Sequence, residues 1–170
     1  MYPCAFTYDT LLAYSDGEQA RWHDWFSLHP GALDVPFAEE RLSTVRGMLI
    51  HIFGVELRYA ERLTGRSVSS YDDIYDFAGT TIEGIFALGE RARALLRSYL
   101  EDATAEDMHT VLTFQTLTAG TVSATKHKIA SNIFLHELRH WGQLATVLRQ
   151  AGFTDQWGHD FLLSAVEMGE

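Results

Sequence analysis

Apolar residues recur at helical spacing over four long segments of this chain, and that pattern dictates an all-α architecture. The first segment runs from about Tyr8 to Leu28. Leu11, Leu12, Trp22, Trp25 and Phe26 mark its apolar face, and His29-Pro30-Gly31 stops it. The second runs from about Glu39 to Leu63 through Val45, Met48, Ile52, Val55 and Tyr59, and ends at Gly65. The third starts near Thr80, an N-cap with Glu83 three residues on, and reaches about Leu100. The fourth extends from near Ser123 to Gly152, with Ile129, Ile133, Leu144, Val147 and Leu148 on its apolar side. Only three prolines interrupt the 170 residues. Between the third and fourth segments, threonines alternate with apolar residues over Thr110–Leu117, which predicts a short hairpin turning at Ala119-Gly120.

Four such helices make a four-helix bundle the economical solution, with residues 1–170 as one domain. The stretch Arg66–Gly79, carrying Asp72, Asp73 and Asp76, reads as a solvated crossover. The tail with Trp157, Phe161 and Leu162 is expected to pack back on the bundle.

Composition narrows the function classes. Thirteen basic against 23 acidic residues give a net charge of −10, which disfavours nucleic acid as a partner. Cys4 is the single cysteine, so neither an intramolecular disulfide nor a thiolate zinc site is available. A reducing compartment, the cytoplasm, is the expectation. No basic-then-apolar opening suggests a signal peptide, and no apolar run approaches the ~20 residues of a membrane span.

The candidate chemistry lies among eight histidines. His136 and His140, four apart on a helix, present their rings on one face about 40° apart. Chance alone supplies roughly 0.4 such pairs in a chain with this many histidines. The neighbours sharpen the signal: Asn132 and Gln143 fall on the same side, making a polar line flanked by Ile129, Ile133, Leu144 and Val147. An inward polar line needs partners. A divalent metal would supply them; so would a hydrogen-bonded core network or a polar seam between subunits. His51, beside the stripe Met48, Ile52 and Val55, is the best third ligand. Three histidines leave positions open for water or substrate.

His136-Glu137-Leu138-Arg139-His140 also spells H-E-x-x-H, the zincin motif, in which Glu137 would serve as base. Against it, the extended motif is absent, only His159, Asp160 and Glu167 lie downstream as ligands, and no preceding strands form a zincin sheet. Glu137 therefore reads as a solvated side chain. His23 and His29 read as exposed, and His109 and His127 border the hairpin. His159 reads as a surface residue able to fold over a site. Trp22 and Trp25 read as core.

The run from His136 to Gly152, with His140-Trp141-Gly142-Gln143-Leu144 and Leu148-Arg149-Gln150-Ala151-Gly152, resembles the fourth-helix signature of the DinB-like proteins. His51 to Glu56, ending Glu61-Arg62-Leu63-Thr64-Gly65, resembles that family's second-helix histidine segment. The resemblance implies an up-down-down-up bundle and a homodimer. It also implies a divalent ion, zinc or nickel, held by His51, His136 and His140. Trp141 stands where the family often has arginine, which would alter the rim of the site or its preference for anionic substrates. Relatives include transferases and an isomerase that use low-molecular-weight thiols. The expectation is a metal-dependent thiol S-transferase or hydrolase acting on a small molecule. The alternatives are a non-catalytic metal-binding protein or an H-E-x-x-H protease.

Overall fold

A serine or threonine side chain stands at the start of every α-helix among the described residues and accepts a hydrogen bond from a backbone N–H of the first turn. The caps are Thr7, Thr44, Ser70, Thr81, Thr104 and Thr125. Each such cap contributes about 0.5–2 kcal/mol. The computed structural model describes residues 6–37 and 42–167. In chain order the elements are α1 (Tyr8–Leu28), α2 (Val45–Leu63), α3 (Tyr71–Ala78), α4 (Ile82–Asp102) and α5 (Ala105–His109). The strands β1 (Val111–Thr116) and β2 (Gly120–Thr125) and the helix α6 (Lys126–Gln150) complete them. No helix among the described residues is long and apolar enough to cross a membrane.

The caps explain where the boundaries depart from the sequence reading. Thr44 is extended and caps α2, so that helix begins at Val45; Glu39 and Cys4 lie outside the described residues. Thr81, not Thr80, caps α4, because it is Thr81 that reaches the N–H of Gly84. Residues 123–125 belong to β2, and Thr125 starts α6. The stretch read as a bare crossover contains α3, whose Ser70 and Asp73 form a reciprocal capping box. Asp73 is thus a structural residue. Ile74 and Ala78, one turn apart, are buried, and Ile74 packs where a side chain at Gly54 of α2 would stand. Of the three tail residues expected to pack back, Trp157 and Phe161 do and Leu162 is 85% exposed.

β1 and β2 pair antiparallel, Val111 with Thr125 through Thr116 with Gly120. The turn therefore covers Leu117, Thr118 and Ala119, and Gly120 adopts the positive φ of 64° that it requires. One face of β1 carries Leu112 and Phe114, and the Phe114 ring lies 6.0 Å from Tyr59 of α2.

Two apolar clusters form the interior. One gathers Trp22, Phe26, Met48, Phe53, Ile85, Trp141 and Leu144; the other gathers Leu12, Ala60, Leu63, Leu96, Ile129 and Ile133. Gly89 of α4 permits their elements to close: a Cβ there would meet Phe53 and Gln19 inside 3 Å. Trp22 is fully buried and stacks on Trp141 at 5.6 Å and on the His159 ring at 5.0 Å.

All four long helices contribute to one buried polar network: Ser15 from α1, Glu56 from α2, Arg93 from α4 and Glu137 from α6, with the half-buried Asp16 of α1 3.4 Å from Arg93. Arg93 lies 3.0 Å from Glu56 and 2.9 Å from Glu137. Ser15 donates to Glu137. These interactions anchor α2 and α6, the helices that carry the histidines.

Candidate metal centre

α2 and α6 pack side by side and bring His51, His136 and His140 together. One nitrogen of each ring lies within 4.8 Å of the others. The His136–His140 ring centroids are 4.3 Å apart, and His51 stands 5.0 and 5.1 Å from them. His136 Nε2 and His140 Nε2 are 3.1 Å apart. Two nitrogens bound at 2.0–2.1 Å to one tetrahedral ion would be separated by about 3.3 Å. The donor set therefore fits a zinc-like ion without rearrangement of that pair, and the three histidines could hold one.

The protonation states agree with this fit. Burial, followed by the neighbouring His140 and Arg139, lowers His51 to about 4. Burial, followed by His140, His51 and Arg139, lowers His136 to about 3. Both rings are neutral at physiological pH and keep a lone pair for a ligand bond. The Gln143 carbonyl oxygen accepts from His140 Nδ1 at 2.5 Å, which leaves the lone pair on Nε2. Arg139 Nη2 donates to that Nε2 at 3.0 Å.

Of the polar line read from the sequence, Gln143 reaches the histidines and Asn132 does not. Asn132 is exposed and does not line the cavity onto which the histidines open. At Asn132 the face of α6 has already turned toward solvent. Glu137 is 1% exposed rather than solvated. It accepts from Ser15, from Arg93 Nη2 at 2.9 Å and from Trp141 Nε1 at 3.0 Å. The offset of one residue from His136, ~100° on a helix, turns it into the core. Trp141 is likewise buried at 2%, so it forms no part of the rim.

His159 is neither at the surface nor at this site. Its Nδ1 lies 3.0 Å from Glu18, and its ring stacks on Trp22. Asp160 accepts from the N–H of Leu162. His23 and His29 are half-buried, His23 against Phe86 and His29 2.9 Å from Asp155.

The histidines open onto a cavity of about 810 Å³. Its walls are α2, α3, α6 and the hairpin, the last through Phe114 and residues 115–118. Arg58, Arg62 and Arg139 line it too, and sequence reasoning missed them. The signal was present in the spacing. His51, Val55, Arg58 and Arg62 lie four, three and four residues apart, one stripe along α2.

A comparison with curated proteins found no match. Among solved structures the chain is similar to a DinB-like protein, YjoA, from Bacillus subtilis. The two share 12% identity at a TM-score of 0.56, over 88% of this chain and 96% of that one. At that identity the likeness concerns the fold. A family model described as the DinB family matches residues 3–164, and the chain belongs to that family.

Proposed function

We propose that this protein is a metal-dependent enzyme whose divalent ion, zinc or nickel, is held by His51, His136 and His140. Its reaction is transfer of a low-molecular-weight thiol to a small electrophile, or hydrolysis at the same centre. The observation that carries this reading is three clustered imidazoles opening onto a large cavity, with no fourth histidine, cysteine or carboxylate among the described residues joining them. A structural metal site is closed by protein ligands, whereas a catalytic one keeps a position for substrate. His159 and Asp160, the available closers, are engaged elsewhere.

A divalent ion bound there would supply Lewis acidity, lowering the pKa of a thiol or water. The chain's own groups do the rest. Gln143 fixes the His140 tautomer through Nδ1. Arg139 sets a positive charge beside His140 Nε2, where it can pair with an anionic reactant. The H-E-x-x-H protease reading loses its base, because the Glu137 carboxylate faces the core.

The reading extends to the assembly. The long helices form the up-down-down-up bundle that the family resemblance implies. What supports it is the order in which they traverse the two apolar clusters. α1 and α6 pass from the Leu12–Ile133 cluster to the Trp22–Leu144 cluster, and α2 and α4 pass the other way. A cytoplasmic homodimer is the accompanying proposal.

Metal content by plasma mass spectrometry on tag-free protein tests the centre. About one equivalent of a transition metal is expected in the native chain. His140→Ala should retain almost none. No metal after reconstitution would overturn the reading and leave the three histidines as a polar network. With metal bound, a metal-dependent conjugation rate across a panel of thiols and electrophiles is the expected activity.

A further inference from the structure

The geometry points to an oxyanion-binding subsite formed by Arg58 and Arg62 in the histidine cavity, selecting a small acid with an aromatic or apolar body as substrate. This deepens the proposed function and rests on it only in taking the histidines as the reacting end.

The chain carries 23 acidic and 13 basic residues. A cavity lining of this size drawn at random from that composition would hold about three acids. Among the described residues the lining holds none, yet it holds Arg58, Arg62 and Arg139. Among the described residues none of the three has a carboxylate within ion-pair distance, whereas Arg21, Arg46, Arg93 and Arg97 each do. A cavity lined by cations without counter-charges attracts and retains an anion.

The guanidinium groups are also held in place. Arg58 stacks over the Tyr71 ring at 4.5 Å and donates to the Ser69 carbonyl. Arg62 stacks over Phe114 at 4.7 Å and donates to the Arg58 carbonyl at 2.9 Å. A guanidinium has five N–H donors, so each keeps several for a ligand. Planar stacked arginines suit two-oxygen recognition of carboxylate or phosphate. Burial, then the neighbouring Arg58, lowers the pKa of Arg62, and Tyr59, Tyr71 and Glu61 act the other way without reversing it.

Spacing sets the substrate's length. Arg58 and Arg62 follow His51 on the same face of α2. At 1.5 Å per residue their backbones stand about 10 and 16 Å further along the axis. Val55 and Tyr59 lie on the wall of α2, and Phe114 faces them from the hairpin. A substrate reaching from the histidines to the arginines therefore has an extended apolar or aromatic middle and an acid at its far end.

Calorimetric titration of the metal-free, full-length protein tests this with three probes of one shape: 4-phenylbutyrate, 4-phenylbutylphosphonate and 4-phenylbutylamine. At least one acid should bind ten-fold or more tightly than the amine, and more weakly at high salt. Tighter binding of the carboxylate assigns a carboxylic acid; tighter binding of the phosphonate assigns a phosphate ester. Arg58→Gln and Arg62→Gln should each weaken the acid about ten-fold. Arg149→Gln, exposed and outside the cavity, should leave it unchanged. Equal binding of acids and amine, no binding of any probe, or acid binding untouched in both cavity variants overturns the subsite. The charge comparison on the native chain does not depend on how a variant folds. One equivalent of metal without acid binding would keep the proposed centre and remove the subsite; acid binding without metal would do the reverse.

Discussion

Replacing Arg93 with alanine is expected to cost about 3–5 kcal/mol of folding stability, a large share of the roughly 5–15 kcal/mol that holds a domain together. The guanidinium is buried between carboxylates of two other helices, Glu56 at 3.0 Å and Glu137 at 2.9 Å. Its Nη2 also donates to Ser15 of α1 at 2.6 Å. Truncation strands two buried carboxylates against one hydroxyl and the Trp141 N–H. Glu56 is raised to about 8: burial raises it most, Arg93 pulls it down, and Glu137 and Asp16 add to the rise. The sign of the pH dependence follows. A raised pKa means that the folded state keeps a proton which the unfolded chain releases above its own value of about 4.3. Stability therefore falls as pH rises from about 5 toward the folded value. Without Arg93 the downward influence on Glu56 is gone, so the fall should extend to higher pH. Urea unfolding at pH 6 and pH 8.5 measures both effects. Arg93→Met combined with Glu56→Gln and Glu137→Gln should recover most of the loss, because no buried charge then lacks a partner. A loss under about 1 kcal/mol at both pH values would mean that water, not Arg93, compensates the carboxylates.

That network shows where sequence reading reached and where it stopped. The four long helices were legible because period and breakers are local properties, and α1 runs from Tyr8 to Leu28 as its apolar spacing predicts. The hairpin was legible from its threonine alternation and Gly120. α3 was not: two buried side chains, Ile74 and Ala78, are too few to show a period, and three aspartates masked them. The histidine cluster was legible because the His136–His140 spacing is local and His51 sits beside an apolar stripe. Glu137 was misread because the partners that justify its burial, Ser15 and Arg93, come from α1 and α4. No pattern within one helix announces a partner on another. Trp141 failed for the same reason, its stacking partner Trp22 lying on α1. The arginine stripe was readable in principle, since Arg58 and Arg62 continue the face begun by His51. Its meaning required the hairpin and α3 to close the cavity around it.

Loading the protein with zinc or nickel is expected to raise its melting temperature by about 5–15 °C. An ion present at 100–1,000 times its dissociation constant adds about 2.7–4.1 kcal/mol to the folded state. A domain of this size gains about 2–4 °C per kcal/mol. Scanning calorimetry with and without metal should show the increment in the native chain and none in His51→Ala or His136→Ala. Glu137→Gln should behave differently: a lower melting temperature with or without metal, and an unchanged increment between the two. An increment erased by Glu137→Gln would place that carboxylate at the ion and revive the protease reading. An increment surviving in His136→Ala would place the ion elsewhere. The contrast follows from how α6 divides its faces. His136 and His140 turn one way, toward the cavity, His136 held neutral by burial and His140 oriented by its bond to Gln143. Glu137 and Trp141, one residue on in each case, turn into the core and tie α6 to α1 and α4. Two neighbouring pairs with the same four-residue spacing thus face opposite ways, one toward the cavity and one into the network that holds the helix.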